Sequence, residues 1–262
     1  MTWQLLICKK ASIAVSADDN YRREPAAHDR VELLISGKRM KPRVICHMTA
    51  SIDGRTLTSR WRPQGKAGDL FERLHDQIGG DAWLIGRVTG NEFAKGTKYP
   101  DTTTETFPRE PWFARRDTKA DDTKAHDIKA YGVVLDAHGK IAWGRSDIGG
   151  DPIIVVLTEA VSDAHLAGLR SEAVSYIFAG ATEIDLALTL EILNRELGVK
   201  RLLLEGGGSA NGAFLRAGLV DEISLVVCPT VDGAKGAPSV FDSPEADAGQ
   251  RAPVTAMTLE SS

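Results

Sequence analysis

Apolar and polar positions alternate along this chain in blocks that predict a layered α/β arrangement. Residues 44–48 form a short apolar run and predict a strand. Across 67–78, Leu70, Phe71, Leu74 and Ile78 recur at helical spacing. Residues 82–85 predict a buried strand that breaks at Gly86, 131–135 another, and 152–157 (PIIVVL) a third. Ser162 heads a helix running to Arg170, 175–178 is a strand, and Asp185 heads an amphipathic helix ending at 197. Leu202 to Leu204 lead into a glycine turn, a short helix over 211–217 and a strand over 223–227, and 254–259 predicts a late edge strand. Strands alternating with helices predict a central, mostly parallel sheet flanked by helices.

The turn after Leu204 carries the most chemistry. It reads Glu205-Gly206-Gly207-Gly208-Ser209-Ala210-Asn211-Gly212-Ala213. A strand that breaks into glycines and enters a helix lets the backbone approach a phosphate, with the unpaired N–H groups of the helix start aimed at it. The spacing departs from the dinucleotide fingerprint: Gly212 falls one position late, and the acid precedes the glycines instead of following them. A tight bend that merely needs glycine remains the alternative at this point. Asp53, in Ser51-Ile52-Asp53-Gly54 after the 44–48 run, is a second carboxylate at a strand end, where α/β sheets bind ligands. A plain turn explains it almost as well.

Two segments break the alternation. Residues 1–39 are expected to be an N-terminal appendage of unassigned role, with the domain proper over 40–262. Residues 93–129 are polar and long, with prolines at 100, 108 and 111, and predict a flap over a site or partial disorder.

Composition narrows the function classes. The 262 residues are 42% hydrophobic and 26% charged, with a formal charge of −4 and no basic stripe, which argues against a nucleic-acid partner. No apolar run reaches the roughly 20 residues of a membrane span. Three scattered cysteines offer neither a CxxC pair nor a zinc pattern. Buried free thiols at Cys46 and Cys228 and a reducing cytoplasm fit this usage. His47 reads as a packed core histidine, His75 as a solvated helix residue, and Trp83 as core.

Three segments in order, MTASIDGRT (48–56), DAWLIGRVTGNEF (81–93) and LLLEGGGSANGAFLRAGLVDEISLVVCPTVDG (202–233), together resemble the reductase family of riboflavin biosynthesis. This is the C-terminal half of the bifunctional deaminase–reductase, and the resemblance spans roughly 40–240. The zinc motifs of the family's deaminase half are not found here. The resemblance implies a dihydrofolate-reductase-like fold, NADPH as cofactor and a homodimer. It also implies hydride transfer to a ribosylaminopyrimidine. Dihydrofolate or another pterin is the alternative substrate, and a nucleotide-binding domain without catalysis is the alternative outside enzymes. By the same resemblance Thr49 touches the nicotinamide end, and Thr89, within Gly86-Arg87-Val88-Thr89, holds phosphate or ribose. The stretch from Gly207 to Ala213 wraps the pyrophosphate, and Glu205 faces the substrate. The guanidinium of Arg87 suits the 2′-phosphate. Asp53 is expected to relay the proton and Glu205 to position the substrate. No metal is expected.

Overall fold

The computed structural model describes residues 4–10, 41–63, 68–114, 128–254 and 256–261. Among the described residues ten strands form one sheet: β1 (Gln4–Lys10), β2 (Arg43–Ser51), β3 (Ala82–Gly86), β4 (Tyr131–Leu135), β5 (Asp147–Ile148), β6 (Asp151–Leu157), β7 (Ser175–Phe178), β8 (Arg201–Gly206), β9 (Glu222–Cys228) and β10 (Met257–Ser261). Their spatial order is β10-β1-β9-β2-β8-β3-β4-β6, with β5 and β7 both paired to β6. The stretch from β9 through β2, β8, β3, β4 and β6 to β7 is parallel throughout, while β1 runs antiparallel to both β9 and β10. The central strands are apolar on both sides because both faces are covered, as parallel sheets require.

Among the described residues five α-helices occur: α1 (Gly68–Ile78), α2 (Arg87–Phe93), α3 (Asp163–Ser171), α4 (Leu186–Leu197) and α5 (Gly208–Arg216). Strand alternation divides the core in two. Val44, Cys46, Leu84, Leu202 and Leu204 face Leu190, Leu193 of α4 and Phe214 of α5. Ile45, Trp83, Ile85 and Leu203 point the other way, in the layer that holds Leu166 and Leu169 of α3. Glu205 follows Leu204 and so belongs to the second face, the one on which α1 lies.

The sequence placed the helix starts at Ser162 and Asp185 correctly. Ser162 Oγ accepts from His165 N at 3.2 Å, and an Asp185 carboxylate oxygen accepts from Leu188 N at 2.9 Å. By contrast, α2 and α5 begin at Gly86 and Gly207 with no side-chain cap.

Two expectations meet a different structure. Of residues 1–39, the described part, β1, lies within the sheet between β9 and β10; residues 11–39 lie outside the described residues. Residues 94–114 are a strap fastened at the β7 edge of the sheet. Trp112 and Tyr176 exchange backbone hydrogen bonds of 2.9 Å. Arg109 pairs with Asp163 at 2.6 Å, and the Arg170 guanidinium lies 4.5 Å from the Phe107 ring centre and 4.9 Å from that of Trp112. These aromatic and cation–π contacts hold the polar segment down on α3 and β7. Residues 115–127, the rest of the expected flap apart from 128–129, lie outside the described residues.

Candidate active site

The C-terminal ends of β3 and β8 open on a crevice, the place where open α/β sheets take ligands. Here the ends of β3 and β8 and the starts of α2 and α5 converge. A Cβ on Gly86 would stand 3.3 Å from Ala210 Cβ, and one on Gly207 would stand 3.4 Å from Thr89 Oγ1. Gly207 has φ 59° and ψ 137°, a backbone conformation close to glycine-only territory. The start of α5, uncapped and flanked by the Thr89 hydroxyl, can therefore take an anion on its free N–H groups.

The glycines of the turn divide their work. Gly206 packs on β3, where a Cβ would lie 2.3 Å from Ile85 Cα. Gly208 and Gly212 lie inside α5, which starts three residues before the helix expected at 211. Both face the 239–242 loop: a Cβ on Gly212 would lie 1.7 Å from the Asp242 carbonyl oxygen. Asn211 is fully buried, and its amide donates to Val240 O at 3.0 Å. Ser209 is exposed and Ala210 half-buried at the helix start, whereas Ala213 is exposed farther along the helix. Only the Gly207–Ala210 end of the expected phosphate wrap adjoins Thr89 and Gly86; Asn211 and Gly212 serve the packing of α5 on the 239–242 loop. Arg87 is exposed at the start of α2.

Below the turn lies a cavity of ≈ 340 Å³, with Phe71, His75, Trp83, Thr89, Phe93 and Glu205 among its walls. Trp83 is core, as expected, but its indole N–H also reaches the cavity rim and donates to Asp151 at 2.8 Å. The expectation for His75 is corrected: it is not a solvated residue. Its Nδ1 stands 2.7 Å from Glu205 Oε1, with side-chain exposures of 24% and 9%. Glu205 raises the pKa of His75 above the ordinary histidine value by accepting this hydrogen bond, and burial raises that of Glu205. The helix periodicity held a signal for His75: it lies four residues after Phe71 and three before Ile78, on the face that turns inward.

His47 is fully buried, stacked on Phe71 at 4.4 Å, with Nε2 donating to Phe71 O at 3.1 Å and Nδ1 accepting from Ser224 Oγ at 3.1 Å. It is the packed core histidine expected, and burial lowers its pKa. The Thr49 hydroxyl is turned towards β9, 3.4 Å from Val226 O and 3.2 Å from Cys228 Sγ. Cys46 and Cys228 are buried free thiols. Trp61 and Trp143 are buried in the core. Among the described residues no His, Cys, Asp and Glu cluster suited to a metal occurs, and no helix is long and apolar enough to cross a membrane.

Asp53 is tied to the loop after β9. Its Oδ1 accepts from Ser51 Oγ at 2.6 Å and Asp232 N at 3.2 Å, and its Oδ2 accepts from Gly233 N at 2.8 Å. The Ser51 and backbone donors hold its pKa down at about 2. A depressed carboxylate stabilises the fold above its unfolded value near 3.8, and that contribution fades as pH falls through about 2. The melting-temperature gap between wild type and Asp53→Asn is therefore expected to be constant from neutral pH down to the ordinary carboxylate range. Below it the gap should shrink. A gap that instead opened only above pH 6 would refute the clasp.

The sequence profile of the RibD C-terminal domain matches residues 42–262. The chain belongs to the RibD C-terminal domain family. Its curated relatives include a 2,5-diamino-6-ribosylamino-4(3H)-pyrimidinone 5′-phosphate reductase of Methanothermobacter thermautotrophicus, 35% identical over 91 residues, 35% of this chain and 41% of the relative. The reductase of the same name from Archaeoglobus fulgidus is 24% identical over 204 residues, 78% of this chain and 87% of the relative. The matches to the M. thermautotrophicus protein and to its Aquifex aeolicus counterpart span only 41% and 39% of those proteins. Among solved structures, the riboflavin biosynthesis reductase of Saccharomyces cerevisiae superposes with a TM-score of 0.52 at 18% identity, covering 78% of this chain and 80% of that one. A pyrimidine reductase-like protein of Corynebacterium diphtheriae gives 0.53 at 18% identity, over 77% and 80%. The RibD-type fold is dihydrofolate-reductase-like, as the sequence resemblance implied.

Proposed function

We propose that this RibD-family chain is an NADPH-dependent oxidoreductase that reduces a ribosylaminopyrimidine 5′-phosphate of the riboflavin pathway. The observation that carries the reading is the uncapped start of α5, with Gly207 and the Thr89 hydroxyl, set at the mouth of a cavity with an ionisable wall. The names of the relatives supply the substrate class. The α5 N-terminus fits a pyrophosphate: a side chain at Gly207 would be conformationally strained, and Gly86 leaves room for the close approach of α2 and α5. Gly207, Ser209 and Ala210 would present backbone N–H groups to it, Thr89 its hydroxyl, and Arg87 its guanidinium to the 2′-phosphate. The cofactor, when bound, supplies the hydride. The protein orients the substrate against it, with Trp83, Phe71 and Phe93 available to pack a flat heterocycle. A cytoplasmic homodimer completes the reading, and sedimentation of the purified chain tests the assembly.

Steady-state cofactor oxidation with ribosylaminopyrimidine phosphate beside dihydrofolate tests the activity: turnover of the first and not the second is expected. Arg87 decides the cofactor prediction. Calorimetry is expected to show NADPH bound more tightly than NADH, with Arg87→Ala weakening NADPH about 10- to 100-fold and leaving NADH nearly unchanged, since hydrogen bonds to charged groups contribute roughly 1.5–3 kcal/mol. Equal affinities in the wild type would remove Arg87 from the site.

A further inference from the structure

The proton that accompanies the hydride needs a source, and Asp53 is poorly placed to supply it. Both of its oxygens accept from the loop, and it is ionised at neutral pH. The cavity wall holds a better arrangement. His75 comes from the middle of α1 and Glu205 from the end of β8, separated by 130 positions in sequence and joined at 2.7 Å. Burial raises the pKa of Glu205, but the hydrogen bond to His75 and the charge of that ring act the other way and favour the carboxylate; a carboxylate only accepts, so this pairing places a proton on Nδ1. Nε2 then remains as the working nitrogen. It makes no hydrogen bond with any described residue and is not among the buried unpartnered atoms. The imidazole is also the more exposed member of the pair, at 24% against 9%. His75 lines the cavity, and a buried carboxylate that holds Nδ1–H leaves Nε2 as the free ring nitrogen, which is how acid–base histidines are oriented.

The surroundings favour the charged ring. Glu72 and Asp76 on α1 add negative potential, as does Glu205 from β8. His47 on β2 lies behind Phe71 and is held neutral by burial. Asp151, across the cavity, accepts from the Trp83 indole. Cys46, on the other face of the sheet, has its thiol pushed up by burial and stays protonated.

We propose that His75 is the proton donor of the reduction and that Glu205 is the positioning residue that fixes its tautomer and its aim. The inference rests on the reductase reading above. In the net reaction, hydride from the dihydronicotinamide forms the new C1′–H bond and the C1′–O4′ bond breaks, its electron pair passing to O4′. The His75 Nε2 proton goes to O4′, leaving neutral imidazole still donating Nδ1–H to Glu205. The dihydronicotinamide is oxidised, C1′ is reduced, and the imidazole regains its proton from solvent.

The test combines kcat against pH at saturating NADPH and substrate with proton NMR titration of the His75 ring in the protein alone, assigned by its loss in His75→Gln. Wild-type kcat is expected to hold at low pH and to fall as pH rises through a point above 6.5, where the ring loses its proton. His75→Gln should lower kcat about 10²- to 10⁴-fold, with KM changed little and the alkaline fall abolished. Glu205→Gln should move both the kcat limb and the NMR titration to lower pH. Three results would overturn the donor role: His75→Gln keeping the limb, Asp53→Asn losing it, or a wild-type ring titrating at or below 6.5. The NMR titration needs no turnover, so it tests the pair even if a variant is catalytically silent. A wild type without turnover on the ribosylaminopyrimidine overturns the reductase reading and the donor role with it; turnover with an unmoved limb overturns the donor role alone.

Discussion

Gly212→Ala is expected to lower the melting temperature by roughly 6–12 °C, although it adds one methyl group far from any reacting atom. Its Cβ would lie 1.7 Å from the Asp242 carbonyl oxygen, so backbone must move. The same movement disturbs two neighbouring ties between α5 and this loop: Asp242 N to Gly208 O at 2.9 Å and Asn211 Nδ2 to Val240 O at 3.0 Å. Overpacking costs roughly 1–3 kcal/mol, and a clash with backbone belongs at the upper end. For a chain of this size each kcal/mol shifts the midpoint by roughly 2–4 °C. Gly207→Ala makes the control. Its Cβ would meet only Thr89 Oγ1 at 3.4 Å, so the cost is conformational, about 1–3 kcal/mol. On the proposed function its larger effect should fall on NADPH affinity, because the side chain would stand where that reading seats the phosphate. Thermal melts and calorimetry on both variants separate the roles. If Gly212→Ala melted as wild type, the close packing of α5 on the 239–242 loop would be refuted.

Deleting residues 1–10 is expected to destabilise the sheet, not merely shorten a tail. β1 pairs on both sides, from Gln4↔Val227 to Lys9↔Glu222 with β9 and from Ile7↔Ser261 to Lys10↔Met257 with β10. Its removal strips β10 of its neighbour and leaves β9 as an open edge, which invites pairing with other chains. Several ladder hydrogen bonds vanish, each contributing roughly 0.5–1.5 kcal/mol net. The truncated chain should melt lower, lose amide protection along β9 and tend to associate. A truncation that melts and exchanges as the full chain does would return residues 1–10 to the status of an appendage.

The composition break that marked residues 1–39 as separate shows how a local pattern misleads. A seven-residue run such as QLLICKK reads the same as a frayed end or as an inserted strand. What decides is whether a partner edge is free, and β9 supplies that edge only after the sheet has formed. The polar stretch 94–114 misled in the same way. Its prolines and polar residues predict a loose flap, whereas Arg109, Tyr99, Phe107 and Trp112 find their partners on α3 and β7, about 50 to 75 positions away.

The glycine turn divides more finely. Its place at the end of an apolar strand was legible, because a strand needs a continuous apolar run and a turn needs residues free of Cβ constraint. Which glycine serves which purpose was not. Gly206 and Gly212 answer to Ile85 and Asp242, and nothing in a seven-letter run reports those neighbours.

The sequence by itself therefore determined the elements that local chemistry controls. These are the apolar runs of β2, β3, β6, β7 and β8, the capped starts of α3 and α4, and the strand ends where Glu205 and Asp53 stand. Each depends on periodicity or on a hydrogen bond reaching only three residues along the chain. Only the tertiary structure decided what those carboxylates touch. The sheet order sets β8 beside β2 and lays α1 across that face, which brings His75 to Glu205, while the loop after β9 closes on Asp53. A side chain's protonation and orientation follow from the groups around it, and here those groups come from segments more than a hundred positions apart.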